Sequence, residues 1–295
     1  MFPTTPAMEA RIFTLPELLA LQPVTADSSR SDCVGDPGWG AIFGGQLLAQ
    51  AIAAARPTAG DGWLLVSLHA LFLRPGDPKQ PVIYQVQALR QGRSFQTLRV
   101  RASQKRGDCA EVTLTYQVPE AGSSYQPELP ADFTQLPAPE ALAPYPAQVA
   151  GTALDMAFPA WYRARRGLDM RFVDAPHFGK VPRIGQNIRY WLRLDDAVVD
   201  PGFALHEAAL AYASDECLAD GLLVPFGKML GDTPLQVLSL DHVMWFHRPL
   251  DLREWHFVDQ RPLVAAGARG TGMAQVWDRD GRLVATYAQE VLLRI

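Results

Sequence analysis

The chain has too few cysteines, too far apart, to be held by disulfides or by zinc. Cys33, Cys109 and Cys217 are odd in number and form no CxxC pair, so neither framework is available and a reducing compartment is expected. No apolar run approaches the ~20 residues that span a bilayer, so no membrane insertion is expected. Positive charge is also short. Lys and Arg total 27 against 31 Asp and Glu, a formal net charge of −4, whereas a nucleic-acid binder carries a basic face or stripe. The one dense basic run, RARRG at 163–167, reads as a solvated helix end, with a phosphate site as the sharper alternative. The amino terminus lacks a signal peptide's basic region and clean apolar core, since Glu9, Arg11 and Glu17 interrupt it. Instead TLPE at Thr14–Glu17 has capping-box spacing ahead of LLAL, which predicts a short helix. The final LLRI is no peroxisomal address, and a cytoplasmic location is expected.

Several catalytic signatures are missing too. There is no G-x-S-x-G, which disfavours a nucleophile-elbow hydrolase. HEAAL at 206–210 lacks the second histidine of a zincin helix. GARGTG at 267–272 has the wrong glycine spacing for a dinucleotide site and lies among strand-like segments. No P-loop occurs, and no His/Cys/Asp cluster has metal-ligand spacing. Neither metal nor cofactor is expected.

What is present is a globular composition, 48% hydrophobic and 20% charged, and a repeat. HALFLRPGD (69–77) and HVMWFHRPLD (242–251) align Arg74-Pro75 with Arg248-Pro249, an offset of 174. The same offset places Gly107 on Gly281, both in hairpin turns between strands. Strand-like segments at 82–89, 94–103 and 110–118 answer to those at 254–260, 270–277 and 283–293. A helical segment precedes each set: GGQLLAQAIAAARP (44–57), opened by glycine and stopped by proline, and LHEAALAYASDECLAD (205–220). Both are nearly free of charge along their length, and a helix apolar almost all round is buried. Each half therefore predicts a long buried helix wrapped by an antiparallel meander, an α+β double hotdog. The expected units are 10–120, a Pro/Ala-rich linker over 121–165, and 166–295.

Polar residues in apolar settings mark the candidate chemistry. Asp215 has Ala211, Tyr212, Leu218 and Ala219 three and four residues away, an apolar row of a buried helix. A buried carboxylate has a raised pKa and can act as a general base near neutral pH; equally, an Asp at a helix end can turn outward. Gln289 alternates with Tyr287 and Val291 and so points to the apolar face, where it serves either a site or a backbone crossing. Ser239 is a lone polar residue in VLSLDHVMWF. His242 and His247 lie on opposite faces of one strand and cannot share a site. His69, beside Leu71 and Leu73, reads as a core histidine or, more sharply, as a substrate-binding one.

FGGQLLAQA (43–51), HALFLRPGD (69–77), VPEAG (118–122), YASD (212–215), LDHVMWFHRP (240–249) and VATYAQE (284–290) together resemble the type II acyl-CoA thioesterases, the TesB-like family. The resemblance covers both halves, with 125–170 its poorest part. It implies a double hotdog that hydrolyses fatty acyl-CoA to acid and CoA with no acyl-enzyme. It implies a water held by Asp215, Ser239 (where relatives often carry Thr) and Gln289. Oxyanion or substrate contacts fall to Gly44, Gly45, Gln46 and His69, and the assembly would be a homodimer or homotetramer. At the fixed offset Thr115 stands opposite Gln289 and LLAQAIAAA holds no carboxylate, so the first half is expected to be a degenerate site. The rivals are a silent acyl-CoA binder, a structural subunit, and an enoyl-CoA hydratase, whose G-D-x-N-P-x-H string is absent.

Overall fold

The structure is a computed structural model that describes residues 11–200 and 204–295; Glu9 and the predicted start of the first unit at residue 10 lie outside them. The first half contains α1 (Leu15–Leu19), β1 (Gln22–Thr25), β2 (Ser28–Ser31), α2 (Gly44–Ala59), β3 (Leu64–Phe72), β4 (Val82–Gln91), β5 (Phe95–Gln104) and β6 (Gly107–Gln117). Three short helices follow, α3 (Tyr145–Val149), α4 (Ala153–Ala157) and α5 (Pro159–Arg163). The second half contains β7 (Leu168–Asp174), β8 (Ile188–Leu194), α6 (His206–Ser214), α7 (Leu218–Leu223), β9 (Gln236–Ser239), β10 (Asp241–Phe246), β11 (His256–Ala266), β12 (Arg269–Asp278) and β13 (Leu283–Arg294).

Among the described residues one 13-stranded sheet runs β1-β2-β4-β5-β6-β3-β10-β13-β12-β11-β8-β7, with β9 joined to β13. The order mirrors itself across the β3–β10 seam. His69 faces Val243 there, and these two residues are themselves 174 apart, so the local twofold of the repeat passes through that pair. Strand alternation then sends Leu68, Ala70, His242 and Met244 inward to the buried core. In that core α2 lies on β4, β5 and β6 and against α6. This is a double hotdog. The repeated Arg-Pro has one job in both halves: Arg74 donates to the Arg106 carbonyl at the β5–β6 turn, and Arg248 to the Leu283 carbonyl beside the β12–β13 turn. Each arginine ties a hairpin to the end of the preceding meander strand.

Several expectations need correction. The β5–β6 turn holds two residues between the paired Gln104 and Gly107, whereas the β12–β13 turn is longer, with the Asp278 N–H bonded to the Arg282 carbonyl. The offset is therefore 174 before the turn and 175 after it. Leu114 pairs with Leu98 as Gln289 pairs with Gly272, so the counterpart of Gln289 is the buried Leu114 rather than Thr115. Pro57 does not stop α2, which continues to Ala59 and ends where Gly60, at φ +81°, bonds back to the Arg56 carbonyl; a proline near a helix end removes one backbone bond without closing the helix. The predicted helix 205–220 is two, α6 and α7, and Asp215 caps the first of them. The capping box at α1 forms as predicted, with the Glu17 carboxylate accepting from the backbone and hydroxyl of Thr14 at 2.7 Å each.

The RARRG run is not a uniformly solvated helix end. Arg163 and Arg165 are exposed partners of Asp155 and Asp195, but Arg166 is buried. Residues from 129 to 142 cover the outer face of the second half, where Leu129, Phe133, Leu136 and Leu142 pack on Trp191, Phe257 and Trp277. The Trp191 indole N–H donates to the Pro137 carbonyl at 3.1 Å.

Candidate active site

Residues from four separate elements converge where the end of α6 meets the start of α2. The carboxylate of Asp215, which caps α6, is held at both oxygens. Oδ2 accepts the Gly45 backbone N–H from the first turn of α2 at 2.8 Å, and Oδ1 accepts Gln289 Nε2 from β13 at 2.8 Å. The same Gln289 nitrogen donates to Ser239 Oγ, at the end of β9, at 2.6 Å. One amide thus uses both its protons, one on the carboxylate and one on the hydroxyl. Asp215 is 9% exposed and Gln289 1%, while Ser239 is partly open to solvent. Burial pushes the Asp215 carboxyl up to about 7, against the opposing pull of the Gln289 and Gly45 hydrogen bonds. A base poised there can take a proton at neutral pH.

The two helix ends can meet only because α2 opens with glycines. A Cβ on Gly44 would lie 2.6 Å from Asp215 Oδ2, and one on Gly45 would lie 2.4 Å from the Tyr212 carbonyl oxygen and 2.5 Å from the Phe43 ring. Backbone cannot yield as a flexible side chain can. Gly45→Ala is therefore expected to push α2 off α6 and cost about 1–3 kcal/mol, read as a lowered thermal midpoint together with reduced turnover.

Beside the carboxylate, Glu216 is buried in an ion pair. Arg166 reaches its two oxygens at 2.5 and 2.9 Å, the Trp161 indole N–H adds a third bond at 3.2 Å, and the guanidinium lies 3.7 Å over the Trp161 ring. The negative charge of Glu216 helps to keep the Asp215 carboxyl high.

Asp215, Ser239, Gln289 and Gly45 are brought together; Gln46 and His69 are not. Gln46 is buried facing away, accepting from Gly35 N–H at 3.1 Å and donating to the Cys33 carbonyl at 3.0 Å. It pins the segment that leads into α2. His69 is exposed on the outer face of β3, edge-on to Trp245 at 5.8 Å between ring centres; its parity with Leu71 and Leu73 holds, but that whole face is the outside of the sheet. Of the amides expected to serve an oxyanion, that of Gly45 is taken up by Asp215, and the neighbouring Gln46 N–H is bonded to the Phe43 carbonyl. The group missed in the sequence is His242. It is fully buried, with Nε2 2.9 Å from Ser214 Oγ, and desolvation pushes it down to about 4. Its inward parity with Met244 and Phe246 was the signal that could have found it.

The model of the acyl-CoA thioesterase N-terminal domain matches residues 35–117, and that of the acyl-CoA thioesterase C-terminal domain matches residues 133–293. The acyl-CoA thioesterase 2 of Haemophilus influenzae is 34% identical over 265 residues, 88% of this chain and 90% of that one. The chain belongs to the acyl-CoA thioesterase family. The mouse acyl-coenzyme A thioesterase 8 is 27% identical over 97% of this chain and 91% of its own. Among solved structures, an acyl-CoA thioesterase II, TesB2, from Mycobacterium marinum superposes with a TM-score of 0.71 at 29% identity, over 95% of this chain and 96% of that one. A tesB protein from Mycobacterium avium subspecies paratuberculosis gives 0.76 at 27% identity, over 96% and 100%. The family match spans both hotdog halves, as the 174-residue repeat requires.

Proposed function

We propose that this protein hydrolyses acyl-CoA thioesters to free acid and CoA by direct attack of a water held by Asp215, Ser239 and Gln289. The observation that carries the reading is a near-neutral carboxylate and a hydroxyl tied to one amide. Ser239 accepts from Gln289, so its own proton is free to point at a water on its open side. Asp215 takes a proton from that water as the oxygen adds to the thioester carbonyl. The carbon–sulfur bond then breaks, and the proton on Asp215 leaves with the thiolate as CoA thiol. No bond to the protein forms at any step. Positioning of the water supplies much of the rate, with the base adding its share.

In this reading each chain has one site, built by the second half and completed by Gly45 of the first. Leu114 stands where Gln289 would be repeated, and LLAQAIAAA of α2 holds no carboxylate; both support a first half that has kept the scaffold and lacks the amide and the base. Release of free thiol from acyl-CoAs of C2 to C18 tests the activity and ranks chain lengths. Because Asp215 must be ionised, kcat is expected to fall as pH drops through about 7 and to level off above it; a flat profile from pH 5 to 9 would remove Asp215 as the base. Ser239→Ala is expected to lose roughly 10–10²-fold in kcat through a loosened water, and Ser239→Thr to stay near wild type. Equal rates for Ser239→Ala and wild type would exclude the hydroxyl.

A further inference from the structure

Two buried atoms next to the proposed base have no hydrogen-bond partner, Nδ1 of His242 and Oε1 of Gln289. Val243 lies opposite Ala288 across β10 and β13, so His242 and Gln289 occupy the next cross-strand position, both facing inward. The two side chains already act on each other: Gln289 raises the affinity of the His242 ring for a proton, as an acceptor beside it does, although burial outweighs this and leaves the ring neutral. A neutral imidazole has one N–H and one bare nitrogen, and the neighbours decide which is which.

If the proton were on Nε2, it would go to Ser214 Oγ, and Ser214 would give its own proton to the Ala211 carbonyl at 2.8 Å. The bare Nδ1 would then face Oε1, two acceptors without a donor in a buried site. That arrangement leaves both groups desolvated and unpaired, at a cost of ~1–3 kcal/mol each. With the proton on Nδ1, Ser214 turns its hydroxyl to Nε2 and only the Ala211 contact is given up. We propose that His242 is a positioning residue that donates from Nδ1 to Gln289 Oε1 and so fixes which end of the amide meets Asp215 and Ser239. The donor chain then runs from Ser214 to His242, from His242 to Gln289, and from Gln289 to both the carboxylate and the hydroxyl. With the amide turned over, Oε1 would face the Asp215 carboxylate and the Ser239 oxygen, and the carboxylate would lose one of its two donors. The inference rests on the assignment of Asp215, Ser239 and Gln289 proposed above.

Two isosteres separate orientation from packing. Asparagine at 242 carries an amide N–H close to the place of Nδ1, whereas glutamine places its nitrogen near Nε2. His242→Asn is expected to keep kcat within about threefold of wild type, because the donor to Gln289 survives. His242→Gln is expected to lose roughly 10²-fold in kcat with KM nearly unchanged, as a misplaced group near the chemistry does. Its acid limb should also move to higher pH, because the Gln289 bond is the larger of the two, with Gly45, that oppose the upward push of burial on Asp215. In the wild-type protein, ¹⁵N shifts of the His242 ring, assigned by their absence in His242→Asn, should report protonated Nδ1. Equal losses in both variants, unaltered kcat in His242→Gln, or a protonated Nε2 with bare Nδ1 would each overturn the role. Asp215→Asn, run alongside, separates the two levels: if it is inactive while His242→Gln is normal, only the positioning role falls. If Asp215→Asn is active, the site assignment falls with it.

Discussion

Asp215→Asn is expected to lose roughly 10²–10⁴-fold in kcat, the range of a general base, while remaining folded. Asparagine keeps the shape of the side chain, and its oxygen can still accept the Gly45 N–H, although its amide nitrogen then meets Gln289 Nε2 where the carboxylate accepted. What it cannot do is take a proton. Stability moves the other way. A carboxyl whose pKa is raised on folding opposes the folded state increasingly as pH climbs from its unfolded value, near 4, to its folded value of about 7. Removing that ionisation should offset part of the cost of the lost Gln289 bond, so that by thermal unfolding the variant compares better with wild type at pH 8 than at pH 5. The comparison to run beside it is Asp220→Asn. Asp220 is also buried and pushed up to about 7, and no hydrogen bond joins it to the Gln289 amide or to Ser239. It should retain turnover. If Asp220→Asn is dead and Asp215→Asn active, the base is Asp220 and the geometry of Gln289 is incidental.

Arg166→Ala is expected to be the most destabilising single change considered, at about 3–5 kcal/mol, because it leaves the buried Glu216 charge without its partner. For a chain of 295 residues that corresponds to a fall of roughly 5–8 °C in thermal midpoint. The variant also loses the stacking on Trp161. The consequence should reach the site: an uncompensated Glu216 next to Asp215 strengthens the repulsion that already raises that carboxyl, so the acid limb of turnover should move to higher pH. Replacing the pair together, Arg166→Met with Glu216→Leu, should recover much of the stability and move the limb back down. A double variant as unstable as Arg166→Ala would mean that the ion pair itself, and not the avoidance of a lone buried charge, holds this part of the fold.

Much of the architecture was legible in the sequence because it follows from short-range periods. Alternation in VATYAQEVLL aims Gln289 inward, and the uncharged run LLAQAIAAA predicts a buried helix; both hold. The Arg-Pro repeat announced two copies of one unit, and the twofold through His69 and Val243 bears it out. The errors share a cause as well. Alternation tells which residues share a face but not which face is inside, and so it groups His69 with the right neighbours without showing that their face is the outer one. A fixed offset cannot sense a longer turn, and so it points to Thr115 where the register gives Leu114. Helical spacing runs through Asp215, whereas in the structure α6 ends at Ser214 and Asp215 caps it, its carboxylate taken up by an amide 170 residues away.

By itself, then, the sequence determined the repeat, the buried helices, the antiparallel meanders and the identity of the polar residues set against apolar rows. Only the tertiary structure decided that Asp215 meets Gly45 and Gln289, that Arg166 is buried on Glu216, and that His242 stands beside the amide. Local preferences act over a turn of helix or a pair of strand residues. The titration of a carboxyl, by contrast, depends on how much water is excluded and which donors arrive, and here both are set by segments brought together from opposite halves of the chain.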